Sequence, residues 1–149
     1  MSAKDATHPE PVWRDRADFI IGVRLSEDDA TEQLWAKRLK SNLFEICCIP
    51  FFAYDIALGD VVETNVDHDV TRVVQRSERV VFRVWFGDSF HPRQDLANEL
   101  VGMGALLEWS SANLLAVDVS EPSRAQAVAD FLAQREDEGK LTYENGRSS

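Results

Sequence analysis

Apolar and polar positions alternate from Asp18 to Leu25, with Phe19, Ile21, Val23 and Leu25 on one side and Gly22 and Arg24 on the other. That period of two predicts a half-buried strand. Gln33–Leu39 carries Leu34, Trp35 and Leu39, which would also suit one helical turn, but the Lys40-Ser41-Asn42 turn after it predicts a hairpin with Leu43–Ile49. Pro50 has no N–H for a ladder, so the strand ends or bulges there. Phe51, Phe52 and Tyr54 then follow without a clean period. Leu58-Gly59-Asp60 reads as a turn, with Gly59 giving backbone freedom and Asp60 a local cap. Val61–Val66 and Val70–Gln75 are predicted to pair across the polar Asp67-His68-Asp69 turn. Five short strands and no convincing helix suggest a small curved sheet or partial barrel.

From Arg79 the pattern changes. Val80, Phe82, Val84 and Phe86 form one face of a strand. A helix is predicted from about Pro92, where a missing N–H costs little, with Leu96, Leu100, Val101 and Met103 as its stripe and Gly102 or Gly104 as its stop. Leu106–Trp109 and Leu114–Val119 read as strands around a Ser-Ser-Ala-Asn turn. Ser120 is the expected N-cap of a second helix with Ala125, Val128, Ala129 and Leu132 on its buried face; Gly139 ends it before a last strand at Leu141–Glu144. The order β-α-β-β-α-β is that of a ferredoxin-like unit. The expected fold is therefore α+β, with a β-rich half over residues 18–78 packed on a ferredoxin-like half over 79–145. Residues 1–17, rich in charge and proline, read as a flexible or loosely docked tail that Trp13 pins or uses for contact, and residues 146–149 as a second tail.

Composition changes this picture mainly by exclusion. The 149 residues carry a net charge of −10, with −6 over residues 1–78 and −4 over 79–149, so neither half is basic. Nucleic-acid and anionic-membrane surfaces depend on clustered Lys and Arg, so both are excluded as partners. No apolar run reaches the ~20 residues of a membrane span and the first residues carry no apolar signal core, so the expected compartment is the cytoplasm. The two cysteines, Cys47 and Cys48, are adjacent; on a strand their sulfurs diverge, which predicts reduced thiols with at least one in the core.

Signatures of catalysis are lacking in the motifs. His8, His68 and His91 have no metal-ligand spacing, and there is no P-loop, dinucleotide fingerprint or nucleophile elbow, so neither cofactor nor metal is expected. Asp55, Asp60 and Glu63 cluster around the aromatic segment; a desolvated carboxylate there would have a raised pKa suited to acid–base work, whereas Asp60 as a turn cap explains Gly59-Asp60 equally well. Phe51, Phe52 and Tyr54, with Trp35 and Trp85, form either core or an interface framed by acidic groups. Phe51, Phe52, Tyr54, Asp55, Asp60 and Trp35 are thus the candidate interface or pocket residues.

The run Ile49-Pro50-Phe51-Phe52-Ala53-Tyr54-Asp55-Ile56-Ala57-Leu58-Gly59-Asp60-Val61-Val62, with the Phe82-Arg83-Val84 strand and the closing Leu141-Thr142-Tyr143-Glu144, resembles the family called domain of unknown function 4265. The resemblance extends over nearly all of the chain after about Asp18. It implies a stand-alone bacterial protein and brings no catalytic residues to transfer. The expected function is a non-enzymatic acidic module that binds a basic protein partner, most concretely an immunity-type inhibitor of a bacterial toxin. A regulatory module with a small molecule between the two halves is the alternative, and an enzyme with a carboxylate base the third.

Overall fold

A computed structural model of the chain describes residues 5–25, 30–87 and 92–146. It is a mixed α+β structure of two sheets, antiparallel apart from one short strand, and, among the described residues, two helices. His91 and the acidic run at 27–29 lie outside the described residues.

The first sheet contains β1 (Asp5–Ala6), β2 (Phe19–Arg24), β3 (Thr31–Lys40), β4 (Leu43–Ile46), β5 (Val61–Thr64) and β6 (Val70–Gln75). β3 is its axis. β2 pairs with Thr31–Ala36 along one edge of β3, while β1, in parallel, and β4 share the other edge. The sheet curls until the Gly22 N–H donates to the His68 carbonyl at 2.9 Å, yet it does not close into a barrel. Alternation places Ile21, Leu34, Ala36, Phe44, Ile46 and Val62 on its concave side as one apolar cluster.

The second sheet has the spatial order β10 (Thr142–Asn145), β7 (Val80–Trp85), β9 (Leu114–Val119), β8 (Leu106–Ser111). α1 (Arg93–Gly102) and α2 (Pro122–Asp137) connect its strands. Leu96, Leu100, Val128 and Leu132 from the helices pack with Phe82, Val84, Leu115 and Val117 of the sheet. Two helical details differ from the sequence reading. Val101, expected in the stripe of α1, is 56% exposed, because the buried arc is Leu96, Ala97 and Leu100. α2 takes Glu121 rather than Ser120 as its N-cap, without a side-chain bond; Pro122 at the first position already fixes the helical φ and lacks an N–H to satisfy.

Between the sheets lies the chain from Cys47 to Asp60. Ile49, Phe51, Ala57 and Leu58 pack there against Val81, Leu114 and Ala116 of the second sheet, with Val12 and Trp13 beside them. This loop is therefore the joint of the molecule. Its C-terminal end is set by Asp60, which is fully buried and accepts the Ala57 N–H at 2.9 Å and the Ser77 N–H at 2.8 Å. Gly59 holds φ +83 there, and a Cβ on it would meet the Ser77 Cβ at 3.1 Å.

Residues 5–17 are docked on the two sheets, with Trp13 pinning them to the domain. β1 pairs with β3, His8 is 2% exposed, and the Trp13 N–H donates to the Cys47 carbonyl at 3.1 Å while its ring stacks under the Arg79 guanidinium. His8 holds the segment there by pairing with the buried carboxylates of Glu32 and Glu108.

Candidate functional site

Glu32 stands on β3 in the same inward phase as Leu34 and Ala36, and Glu108 stands at the buried position of β8. An ionised carboxylate on an apolar face is costly unless its oxygens are matched by donors. Here the donors come from the joint and from the N-terminal segment. Glu32 accepts N–H groups of Phe51 (2.6 Å), Phe52 (3.0 Å) and Ala53 (2.9 Å). Glu108 accepts those of Ile49 (2.6 Å) and Val12 (3.3 Å). His8 bridges the two, its Nε2 donating to Glu32 at 2.7 Å and its Nδ1 to Glu108 at 2.7 Å. The imidazole also stacks face to face on Phe51, with centroids 4.0 Å apart.

Burial alone would push the His8 imidazolium down. Hydrogen bonding to Cys48, Glu108 and Glu32 reverses this and raises its pKa to about 12. Burial likewise pushes the Glu32 carboxyl up, and the His8 cation with the loop amides overcomes it, leaving Glu32 below its usual value. Burial raises Cys48 above its ordinary value, so it remains a thiol. A cation thus joins one carboxylate from each sheet. With both ring nitrogens donating, His8 is in no position to accept a proton from a substrate.

The amides anchored on Glu32 fix the conformation of the Phe51–Ala53 backbone, and the side chains there part ways. Phe51, a candidate for exposure, is instead fully buried core and the floor of the cluster. Phe52 and Tyr54 face outward at 40% and 51% exposure. The Tyr54 hydroxyl donates to Glu144 at 2.6 Å, and its ring lies over the Arg83 guanidinium at 4.7 Å; Arg83 in turn donates to the Ala53 carbonyl. Asp55 is partly buried with φ +65 and its N–H donates to the Gly146 carbonyl at 2.9 Å. Trp35 is partly buried on β3, beneath the Arg14 guanidinium and away from the Phe52 side of the joint. Asp60 is enclosed as a turn cap, so it leaves the set of candidate contact residues. The carboxylate cluster expected from Asp55, Asp60 and Glu63 is replaced by a different pair, Glu32 and Glu108.

A shallow cleft of about 500 Å³ runs beside Phe52. Ala6 and Pro9 of the N-terminal segment, Leu25, Ala30 and Ser110 of β8 form its other walls. A second depression of about 450 Å³ shares Leu25, Ala30 and Phe52 and continues to Tyr54. Phe52 therefore stands as a ridge in a groove that begins where the N-terminal segment crosses between the sheets.

The family model described as "Domain of unknown function (DUF4265)" matches residues 32–143, which include Glu32, Cys48, the Pro50-Phe51-Phe52 run and Glu108. The chain belongs to the DUF4265 family. A crystal structure described as that of a hypothetical protein from Neisseria gonorrhoeae is similar to it, with a TM-score of 0.73 and 21% identity over 86% of this chain and 93% of that one. At that identity the similarity speaks for the fold alone. No curated protein matches this DUF4265 chain. Among the described residues no helix is long and apolar enough to cross a membrane.

Sequence reasoning passed over the His8 cluster, although a signal for it existed. Glu32 and Glu108 occupy inward phases of strands, and such positions require a buried cation or donor set.

Proposed function

We propose that this DUF4265 protein is a non-enzymatic, acidic protein-binding module whose contact element is the Phe52–Tyr54 stretch of the joint. One observation carries the reading: large aromatic side chains stand exposed on a backbone whose amides are fixed by a buried carboxylate. Aromatics held in place before binding lose little conformational freedom on contact, the usual property of interface anchors. The net charge of −10 favours a basic partner through electrostatic steering. An inhibitor of a basic bacterial toxin is its most concrete form, with the C-terminal unit read as ferredoxin-like from its element order. The buried thiols of Cys47 and Cys48 suit a reducing, cytoplasmic setting.

The test is capture from a lysate of the host on immobilised protein, comparing wild type with Phe52→Ala and Tyr54→Ser. A specific partner held by wild type, released by moderate salt and lost in both variants at unchanged Tm supports the reading. A partner retained by both variants defeats it. The alternative, a small molecule in the groove, draws on the cleft of about 500 Å³, which has the volume of a ligand site. Its openness along Phe52 suits an extended segment better. A metabolite that raises Tm in wild type and not in Phe52→Ala would favour the small ligand.

A further inference from the structure

The N-terminal segment sits on the molecule in the manner of a bound peptide. Asp5 and Ala6 add a two-residue strand to the edge of β3 next to Thr31 and Glu32. His8 then drops its side chain into a closed site; Pro9 and Pro11 after it offer no N–H donors, and Val12 donates its N–H to Glu108 at 3.3 Å. Edge addition by main-chain pairing, with a specificity pocket for one side chain, is a recurring way of recognising an extended peptide. The pocket is Glu32 from one sheet, Glu108 from the other and the Phe51 ring as floor. The groove beside Phe52 is walled by Ala6, Thr7 and Pro9, the residues on either side of His8.

We propose that the Glu32–Glu108 pair is a receptor for a cationic planar side chain on an extended segment, and that His8 is its resident occupant, standing in for an arginine or histidine of the partner. This rests on the protein-binding reading above and names what the basic partner inserts. The selectivity follows from the burial of both carboxylates: a segment lacking the cation leaves two charges enclosed without a counter-ion, whereas an imidazolium or guanidinium satisfies both. A guanidinium has the same planar shape for stacking on Phe51 and directs N–H groups to both sides. Tethering gives the resident segment a high effective concentration, so an incoming segment competes against it, and weakening the resident exposes the site to measurement.

The experiment uses the full-length His8→Ala protein and three synthetic peptides spanning residues 5–13: the native sequence, its His8→Arg form and its His8→Ala form. Thermal shift and calorimetry read binding, with wild-type protein as the competed control. The native and His8→Arg peptides are expected to bind the variant roughly a hundredfold more tightly than the His8→Ala peptide, and to bind wild type far more weakly. If the His8→Ala protein is unfolded on its own, refolding by the two cationic peptides and not by the third reads the same property by circular dichroism. Equal binding of all three, or of none, overturns the proposal. Binding of the native peptide alone overturns the guanidinium part and leaves a latch private to this chain. None of these outcomes depends on Phe52 or Tyr54, so the receptor and the partner-binding reading fail separately.

Discussion

Stability of this protein should fall as pH rises through neutrality, and His8 is the reason. Its ordinary pKa of 6.5 is raised to about 12 in the folded chain. Below 6.5 both folded and unfolded chains hold the proton, and the full stabilisation is present. Between 6.5 and the folded value the unfolded chain has released a proton that the native chain keeps, so stability declines by about 1.4 kcal/mol per pH unit. From pH 6.5 to 8.0 this is about 2 kcal/mol, a large part of the total for a domain of this size. The groups facing His8 are Glu32 from β3, Glu108 from β8, and Cys48 and Phe51 from the joint. Cys48 and Cys47 have ordinary values of 9.0 and are raised by burial, which keeps their own contribution above this window. Glu32 acts on the opposite limb: its lowered pKa stabilises the fold above the ordinary 4.5 and that contribution is lost as pH falls. Urea unfolding followed by tryptophan fluorescence at pH 6.0–8.0 reads the slope directly, compared between wild type and His8→Gln. The variant should lose about 3–5 kcal/mol at pH 6.5, as expected on breaking a buried charge pair. A flat wild-type profile, or an unchanged stability in His8→Gln at pH 6.5, would refute the assignment of a bridging imidazolium.

Two further substitutions separate structural from functional carboxylates. Asp60→Ala removes the acceptor of the Ala57 and Ser77 N–H groups and should cost about 2–4 kcal/mol in chemical denaturation, with the loop around Gly59 loosened; an unchanged stability would mean that the turn does not depend on its cap. Arg79→Met leaves Asp118, which is fully buried, without the guanidinium whose Nε donates to Oδ1 and whose Nη2 donates to Oδ2. The expected loss is about 3–5 kcal/mol at pH 7. It should shrink toward pH 4, where the stranded carboxyl takes up a proton, and a pH-independent loss would contradict the ion-pair account.

Much of the architecture was legible in the chain. The period of two at Phe19–Leu25 located β2, and the apolar series Val80, Phe82, Val84 and Phe86 located β7, although β7 is buried on both faces because Val81 packs on the joint. The β-α-β-β-α-β order followed from helical stripes such as Leu96–Leu100 and from Gly104 and Gly139, which hold positive φ at or near the helix ends. Gly59-Asp60 marked a capped turn, whereas the strand expected to run from Leu43 to Ile49 and end at Pro50 stops at Ile46. These features are local: each is set by neighbours within a few residues. Of the candidate contact residues, Phe52 and Tyr54 lie exposed as their loop position allowed, but the sequence carried nothing to separate them from Phe51, which points inward from the same loop.

Only the tertiary structure joined His8 to Glu32 and Glu108, residues 24 and 100 positions away. A hydrogen bond between side chains depends on where two sheets and a crossing segment come to rest, and no period or motif in the chain encodes that distance. The same placement turned a polar, proline-bearing leader into a docked strap, since the enclosed carboxylates make its cation indispensable. It also decided the fate of the aromatic run, because three amides drawn to Glu32 fix which ring faces the core and which faces solvent. The sequence by itself determined the elements and their order. The packing of the two sheets around a buried charge determined the site.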